Sequence, residues 1–140
     1  MITLTIPGDP KAWQRARTFG KRFFNSPQMV HYQNKIAVFA KNEGIKPMEG
    51  PVKLELLFYF ARPKKWCRAK DPTCALVMPR RPDTDNLIKM IGDGLNGIAW
   101  LDDGQIVDVR AGKYYHEIGG SPRTEIKIFA LNLQEDHHEE

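Results

Sequence analysis

Two short runs concentrate the residue types that can do chemistry. Arg80-Arg81-Pro82-Asp83-Thr84-Asp85-Asn86-Leu87-Ile88-Lys89 gathers acid, amide and lysine, and Trp100-Leu101-Asp102-Asp103-Gly104-Gln105 follows a helix's length later. Carboxylates this close repel one another unless a cation or hydrogen bonds sit between them, so the clustering points to a hard divalent metal such as magnesium. Asp83 and Asp85 are two apart, and in an extended segment their side chains project to the same side, where they could share one ion. Magnesium is commonly held by a few carboxylates together with waters and phosphate oxygens. The basic residues just upstream suggest a polyanionic substrate.

Each residue also has a plainer reading. Asp83, Thr84 and Asp85 are all good helix N-caps, and acids favour a helix N-terminus electrostatically. Capping accounts for one of them, but not for Asn86, Lys89 and the downstream acids together. Lys89 lies four residues after Asp85, so it either forms an ordinary i,i+4 ion pair or stabilises charge that develops on a phosphate. Asp93, one turn further on, could support Lys89, but reads more simply as helix solvation. Asp102-Asp103-Gly104 is a common turn signal. A helix from Asp85 to Ile98 would extend about 20 Å, so Asp103 reaches Asp83 and Asp85 only if the chain returns or a second subunit contributes it. An EF-hand is excluded because Leu87 and Ile88 stand where oxygen and glycine are needed, and there is no Gly-rich phosphate loop or Ser-His-Asp set.

The elements that position these residues follow from periodicity. Met1 to Ile6 alternates like a strand, stopped by Pro7-Gly8-Asp9-Pro10. A basic loop with Trp13, Phe19, Phe23 and Phe24 leads to Asn25-Ser26-Pro27, a helix start; its aromatics read as packing rather than base stacking. A helix from Gln28 to about Asn42 carries Met29, Tyr32, Ile36, Val38, Phe39 and Ala40, with Gly44 as its stop. Val52 to Phe60 turns continuously apolar and predicts a central strand covered on both faces. Residues 62–82, rich in proline and basic charge, read as a long functional loop. A second helix from Thr84 or Asp85 to Asn96 buries Leu87, Met90, Ile91 and Leu95. Gly92, Gly94 and Gly97 suggest backbone packed against a neighbour. Two strands, Gln105 to Glu117 and Arg123 to Asn132, are joined by the turn Gly119-Gly120-Ser121-Pro122. This order predicts a single α+β domain over 1–134, a mixed sheet with helices packed on it, and an acidic, disordered tail over 135–140.

The bulk numbers agree with a soluble globular chain. Its 140 residues suffice for one core without disulfides. No apolar run approaches bilayer length, and the N-terminus lacks a signal-peptide pattern, so a membrane role is not expected and the cytoplasm is. Cys67 and Cys74 read as free thiols, and scattered His31, His116, His137 and His138 offer no zinc spacing. Net charge is +4, but without Glu135, Asp136, Glu139 and Glu140 the remainder carries +8. Lys11, Arg15, Arg17, Lys21 and Arg22 form one basic group; Arg62, Lys64, Lys65, Arg68, Lys70, Arg80 and Arg81 form another, a nucleic-acid footprint.

Arg-Pro-Asp-Thr-Asp-Asn-Leu-Ile-Lys at 81–89, followed by Trp-Leu-Asp-Asp-Gly-Gln-Ile-Val-Asp at 100–108, resembles the RusA family of Holliday junction resolvases. The segment from Gly8 to Arg17 is similar to that family's opening, and two linked motifs are more specific than either alone. The resemblance implies a RusA-like fold, with Asp83, Asp85 and Asp103 as catalytic, magnesium-binding aspartates and Lys89 as the catalytic lysine. Asn86 and Asp102 match supporting motif positions. It also implies a homodimer acting on four-way DNA junctions, since two symmetric nicks suit two matched active sites. Phage or prophage origin fits such a member. The loop over 62–82 looks longer than the family pattern, which bears on DNA contacts rather than chemistry.

The expected activity is therefore a magnesium-dependent endodeoxyribonuclease, with manganese a possible substitute, that resolves Holliday junctions by paired symmetric nicks in recombination or repair. Arg15, Arg17, Arg80 and Arg81 are the expected phosphate contacts. The rivals are a non-cutting junction-binding accessory protein, a magnesium-dependent hydrolase of small phosphates, and a structural role in which the acids are only caps and turns.

Overall fold

The computed structural model of the chain describes residues 1–20, 22–24 and 26–132, without the side chains of 17–19 and 22–24. Lys21, Asn25, the side chains of Arg17, Phe19, Arg22, Phe23 and Phe24, and the acidic tail with its boundary at 134 lie outside the described residues.

The first strand is β1 (Ile2–Pro7), followed by a short hairpin of β2 (Arg17–Phe19) and β3 (Arg22–Phe24). Helix α1 (Pro27–Asn42) begins where Ser26 caps it, its hydroxyl accepting from the Met29 amide at 3.1 Å with proline in the first turn. Met29, Tyr32, Ile36 and Ala40 form its buried stripe, while Val38 is 53% exposed and does not belong to it. Strand β4 (Val52–Phe60) leads into the loop, which carries a 3₁₀ turn (Lys64–Trp66) and β5 (Leu76–Val77). Then come α2 (Thr84–Leu95), a 3₁₀ turn (Asp103–Gln105), β6 (Ile106–Tyr115) and β7 (Arg123–Ala130).

The mixed sheet runs β1-β7-β4-β6-β5, with β6 parallel to β4 and the other pairings antiparallel. This is the α+β single-domain architecture expected. β6 and β7 are not neighbours as a simple hairpin would make them: β4 lies between them, and the connection carrying Gly119 crosses its end. Nor is β4 covered on both faces. Val52, Leu54, Leu56 and Phe58 are buried, but Lys53, Glu55, Leu57 and Tyr59 are only half-buried on the other side. The apolar run misleads because Leu57 lines a shallow hollow beside Gly112, and Tyr59 packs on Tyr114 with ring centroids 5.8 Å apart.

One core joins the buried face of β1, β4 and β7 to both helices, with Leu87, Met90, Ile91 and Leu95 of α2 facing Ile36 of α1 and the fully buried Trp100. Each such side chain contributes about 2 kcal/mol by leaving water. Of the three glycines near the end of α2, Gly94 is there for close packing: a Cβ would stand 2.9 Å from Ile36. Gly97 serves a turn instead, with φ of +80°. Among the described residues no helix is long and apolar enough to cross a membrane.

Candidate active site

The first wall of the site is the start of α2. Asp83 occupies the N-cap position with extended backbone (φ −72°, ψ 145°), yet its carboxylate makes no capping hydrogen bond. The plain capping reading thus fails for it, and its exposed oxygens are left available. Asp85 lies in the first turn, where one oxygen accepts from the Asn86 amide at 2.9 Å. Asn86 contributes through its backbone: its carbonyl accepts from the Trp13 amide at 2.9 Å. That bond, with the Gln14 amide on the Met29 sulfur at 3.2 Å, moors the basic segment after β1 against the helices.

Lys89 makes no ion pair with Asp85 among the described residues. Its ammonium stands over the Trp13 indole, 4.3 Å from the ring centroid. A cation held by a π face is located without having its charge neutralised by a carboxylate, which leaves it able to meet a phosphate.

The second wall is the turn that begins β6. After α2 the chain reverses at once, with the Gly97 amide donating to the Trp100 carbonyl at 2.8 Å, which sets Asp103 in one cleft with Lys89 and Asp93. Trp100 is buried in the core, and its indole N–H donates to an Asp103 oxygen at 2.9 Å, fixing that carboxylate. Asp102 realises the plain reading: it caps the 3₁₀ turn, accepting from the Gly104 amide at 2.9 Å in a reciprocal box with Gln105. Gln105 does more than the motif suggests. Its oxygen accepts from the amides of Leu101 at 2.7 Å and Asp102 at 2.9 Å, while its nitrogen donates to the carbonyls of Met48 at 2.7 Å and Gly50 at 2.9 Å.

A cleft of about 220 Å³ is lined by Lys89, Asp93 and Asp103 over an apolar floor that includes Leu54, Ile88 and Val109; Asp83 and Asp85, nearer the start of α2, do not line it. Asp93, for which helix solvation is the simpler reading and support of Lys89 the other, lines the same cleft as Lys89. Burial holds its carboxyl above the ordinary range, against the pull of Lys89 and with the help of Asp103's charge. The signal was its place on the stripe Asp85, Lys89, Asp93. Along that stripe the rise per residue puts Asp85 about 6 Å from Lys89 and about 12 Å from Asp93. The donors are the hard oxygens a divalent ion prefers, but no three acidic, histidine or cysteine side chains among the described residues converge closely enough to ligate one.

Two basic residues hold the approach. The Lys113 ammonium on β6 donates to the carbonyls of Arg80 at 2.6 Å and Pro82 at 2.9 Å, pinning the segment that delivers Asp83. Arg62, only 6% exposed, donates to the carbonyls of Trp66, Cys74 and Pro72 at 2.9, 2.9 and 2.8 Å and orders the loop that sequence reading left open. Neither role has a signature in the sequence. Arg15, Arg80 and Arg81 are exposed, as phosphate contacts must be, and Cys67 and Cys74 are free thiols.

The family model described as Endodeoxyribonuclease RusA matches residues 7–129, a span holding both walls of this cleft. The chain is also 30% identical over 137 residues to Uncharacterized protein YqaN of Bacillus subtilis (strain 168), the alignment covering 91% of this chain and 94% of that one. With Lys89 of the first motif and Asp103 of the second lining one cleft, the chain belongs to the RusA family of endodeoxyribonucleases.

Proposed function

We propose that the protein resolves four-way DNA junctions by paired symmetric nicks, acting as a homodimer with magnesium, for which manganese can substitute. The observation that carries this reading is the meeting of Lys89 with Asp103 in one cleft. By the family resemblance Asp83, Asp85 and Asp103 would hold the ion, although as placed here they are not gathered to ligating distance. When bound, it would lower the pKa of a water and polarise the phosphodiester.

The remaining work falls to the chain itself. Lys89 donates from Nζ to a non-bridging phosphate oxygen and stabilises the added charge of the transition state. Asp103, oriented by the Trp100 N–H, faces the same phosphate from the opposite wall. Arg15, Arg17, Arg80 and Arg81 contact flanking phosphates and set the register of the arms without reading sequence. A two-fold dimer presents two such clefts to two strands of a junction.

The test is a labelled synthetic junction beside a linear duplex of the same sequence, with magnesium or chelator, and with an Asp85→Asn variant. Paired nicks in the junction alone, lost with chelator and in the variant, support the proposal. Because the carboxylates are not gathered to ligating distance, a non-cutting junction binder is the second reading. Tight junction binding with no nick in either metal would establish that instead.

A further inference from the structure

The loop between β4 and α2 exceeds what the catalytic motif needs, and it is built around a second hollow. A cavity of about 330 Å³ opens between Trp66, Leu76, Pro79 and Tyr115, with Asp71 and Arg80 at its rim. Tyr115 is buried and meets Trp66 edge-on, with centroids 5.2 Å apart and planes at 65°, so one aromatic wall is fixed by the other. The Arg62 guanidinium ties the Trp66 carbonyl into the loop from behind. Val77, at the lip, is 73% exposed, a large apolar side chain left open to solvent.

We propose that this cavity receives one unstacked nucleobase at the DNA branch point, packed against Trp66. The inference rests on the junction reading above and names how a branch is told from a duplex. Charge argues for a nucleic acid over an apolar ligand. Asp71 is matched by Arg68, whose guanidinium lies 3.1 Å from its carboxylate, whereas exposed Lys64, Lys70 and Arg80 form no ion pair among the described residues. The Lys65 ammonium stands over one face of the Trp66 ring, 5.0 Å from its centroid, so a stacked base takes the other face or displaces it toward the base's own phosphate. A flat aromatic wall with cations around it is how unpaired bases are held irrespective of sequence.

Position argues for the branch point. Arg80 borders the cavity three residues before Asp83, and Lys113 pins the Arg80 and Pro82 carbonyls to β6 two residues from Tyr115. One strand thus sets the spacing between the hollow and the acids. A continuous duplex keeps its bases stacked and has none to offer, while a branch exposes bases that have lost a neighbour.

The test uses the full-length protein in chelator, so that binding is measured without cutting. Four-way junctions are made with a single abasic site at each branch nucleotide in turn, beside the intact junction and a duplex. Wild-type affinity should fall about ten-fold for one abasic position, what one base–aromatic stack is worth. Trp66→Leu should weaken the intact junction about as much, leave the duplex unchanged, and have no further effect on that abasic junction; Trp66→Phe should recover most of the loss.

If no abasic position matters to the wild type, the proposal falls, whatever the variants do. It falls too if Trp66→Leu weakens junction and duplex equally, or shifts the oligomeric state measured by light scattering, which would assign the cavity to loop packing or a subunit contact. A wild type that binds the junction no better than the duplex overturns the junction reading and the inference with it.

Discussion

Arg62→Met should detach the loop from the sheet. The wild-type guanidinium is buried, makes three hydrogen bonds of 2.8 to 2.9 Å to backbone carbonyls, and has no ion-pair partner among the described residues. A hydrogen bond involving a charged group contributes about 1.5–3 kcal/mol, so three give roughly 4–9 kcal/mol before offsets. Methionine recovers about 1–2 kcal/mol of apolar burial, and the arginine's own desolvation no longer has to be met. Water reaches some of the part-buried carbonyls once the loop loosens. The net loss is about 3 kcal/mol, a shift of roughly 150-fold in the opening equilibrium. Because the loop pairs with the sheet through the two-residue β5 and is otherwise held by a few side-chain and turn contacts, the loss should appear as local opening more than global unfolding. Trypsin, which cuts after lysine and arginine, should attack Lys64, Lys65, Arg68 and Lys70 in the variant far faster than in the wild type. Hydrogen exchange at the Trp66 and Cys67 amides, which bond within the 3₁₀ turn, should accelerate in parallel. Arg62→Lys should rescue little, since an ammonium cannot span three carbonyls as the planar fork does. Unchanged proteolysis together with an unfolding free energy from urea titration within about 0.5 kcal/mol of wild type would refute the reasoning.

Two further outcomes follow from the cleft. Trp13→Leu should lower the nicking rate constant by roughly two- to five-fold, the worth of an exposed cation–π contact, while junction affinity in chelator holds and Trp13→Phe keeps most of the rate. A matching loss of affinity would show that Trp13 only shapes the DNA surface. Asp93→Asn should be more stable than wild type in chelator at neutral pH. The folded state holds the Asp93 proton more tightly than the unfolded chain does, so ionisation subtracts stability as pH rises from the ordinary carboxylate value through the raised one. Thermal melts should converge below that window, and a gap that persists in acid would assign the gain to something other than charge.

The motif carboxylates and Lys89 were legible because their spacing is local: one helix start sets three of them, Asp83, Asp85 and Lys89. Asp103 was legible as a residue but not in its position, because the reversal depends on Gly97 and on a buried Trp100 that only the folded core supplies. Asp93 reads as solvation rather than support for Lys89, since an acid on a helix surface usually faces solvent and the turn before β6 that adds Asp103 beside it is not visible locally. Helix limits followed from caps and periodicity, to within a residue for α2. Strand adjacency did not follow, because a short Gly-rich connection can close a hairpin or cross a strand end, and nothing local distinguishes them. Arg62 and Lys113 escaped notice because their partners are backbone carbonyls, which have no identity in a sequence.

Gln105 uses both ends of one amide, accepting twice and donating twice to backbone on two separate segments. Glutamate offers no donor, lysine and arginine no acceptor, and asparagine is one methylene short of the span. The position therefore admits a single residue type for reasons unconnected with phosphodiester chemistry. Invariance at the last letter of Trp-Leu-Asp-Asp-Gly-Gln would record the geometry of a joint, while invariance at Asp103 would record the reaction. A homologue that kept the glutamine and lost the aspartate would be a protein that had retired its chemistry and kept its frame.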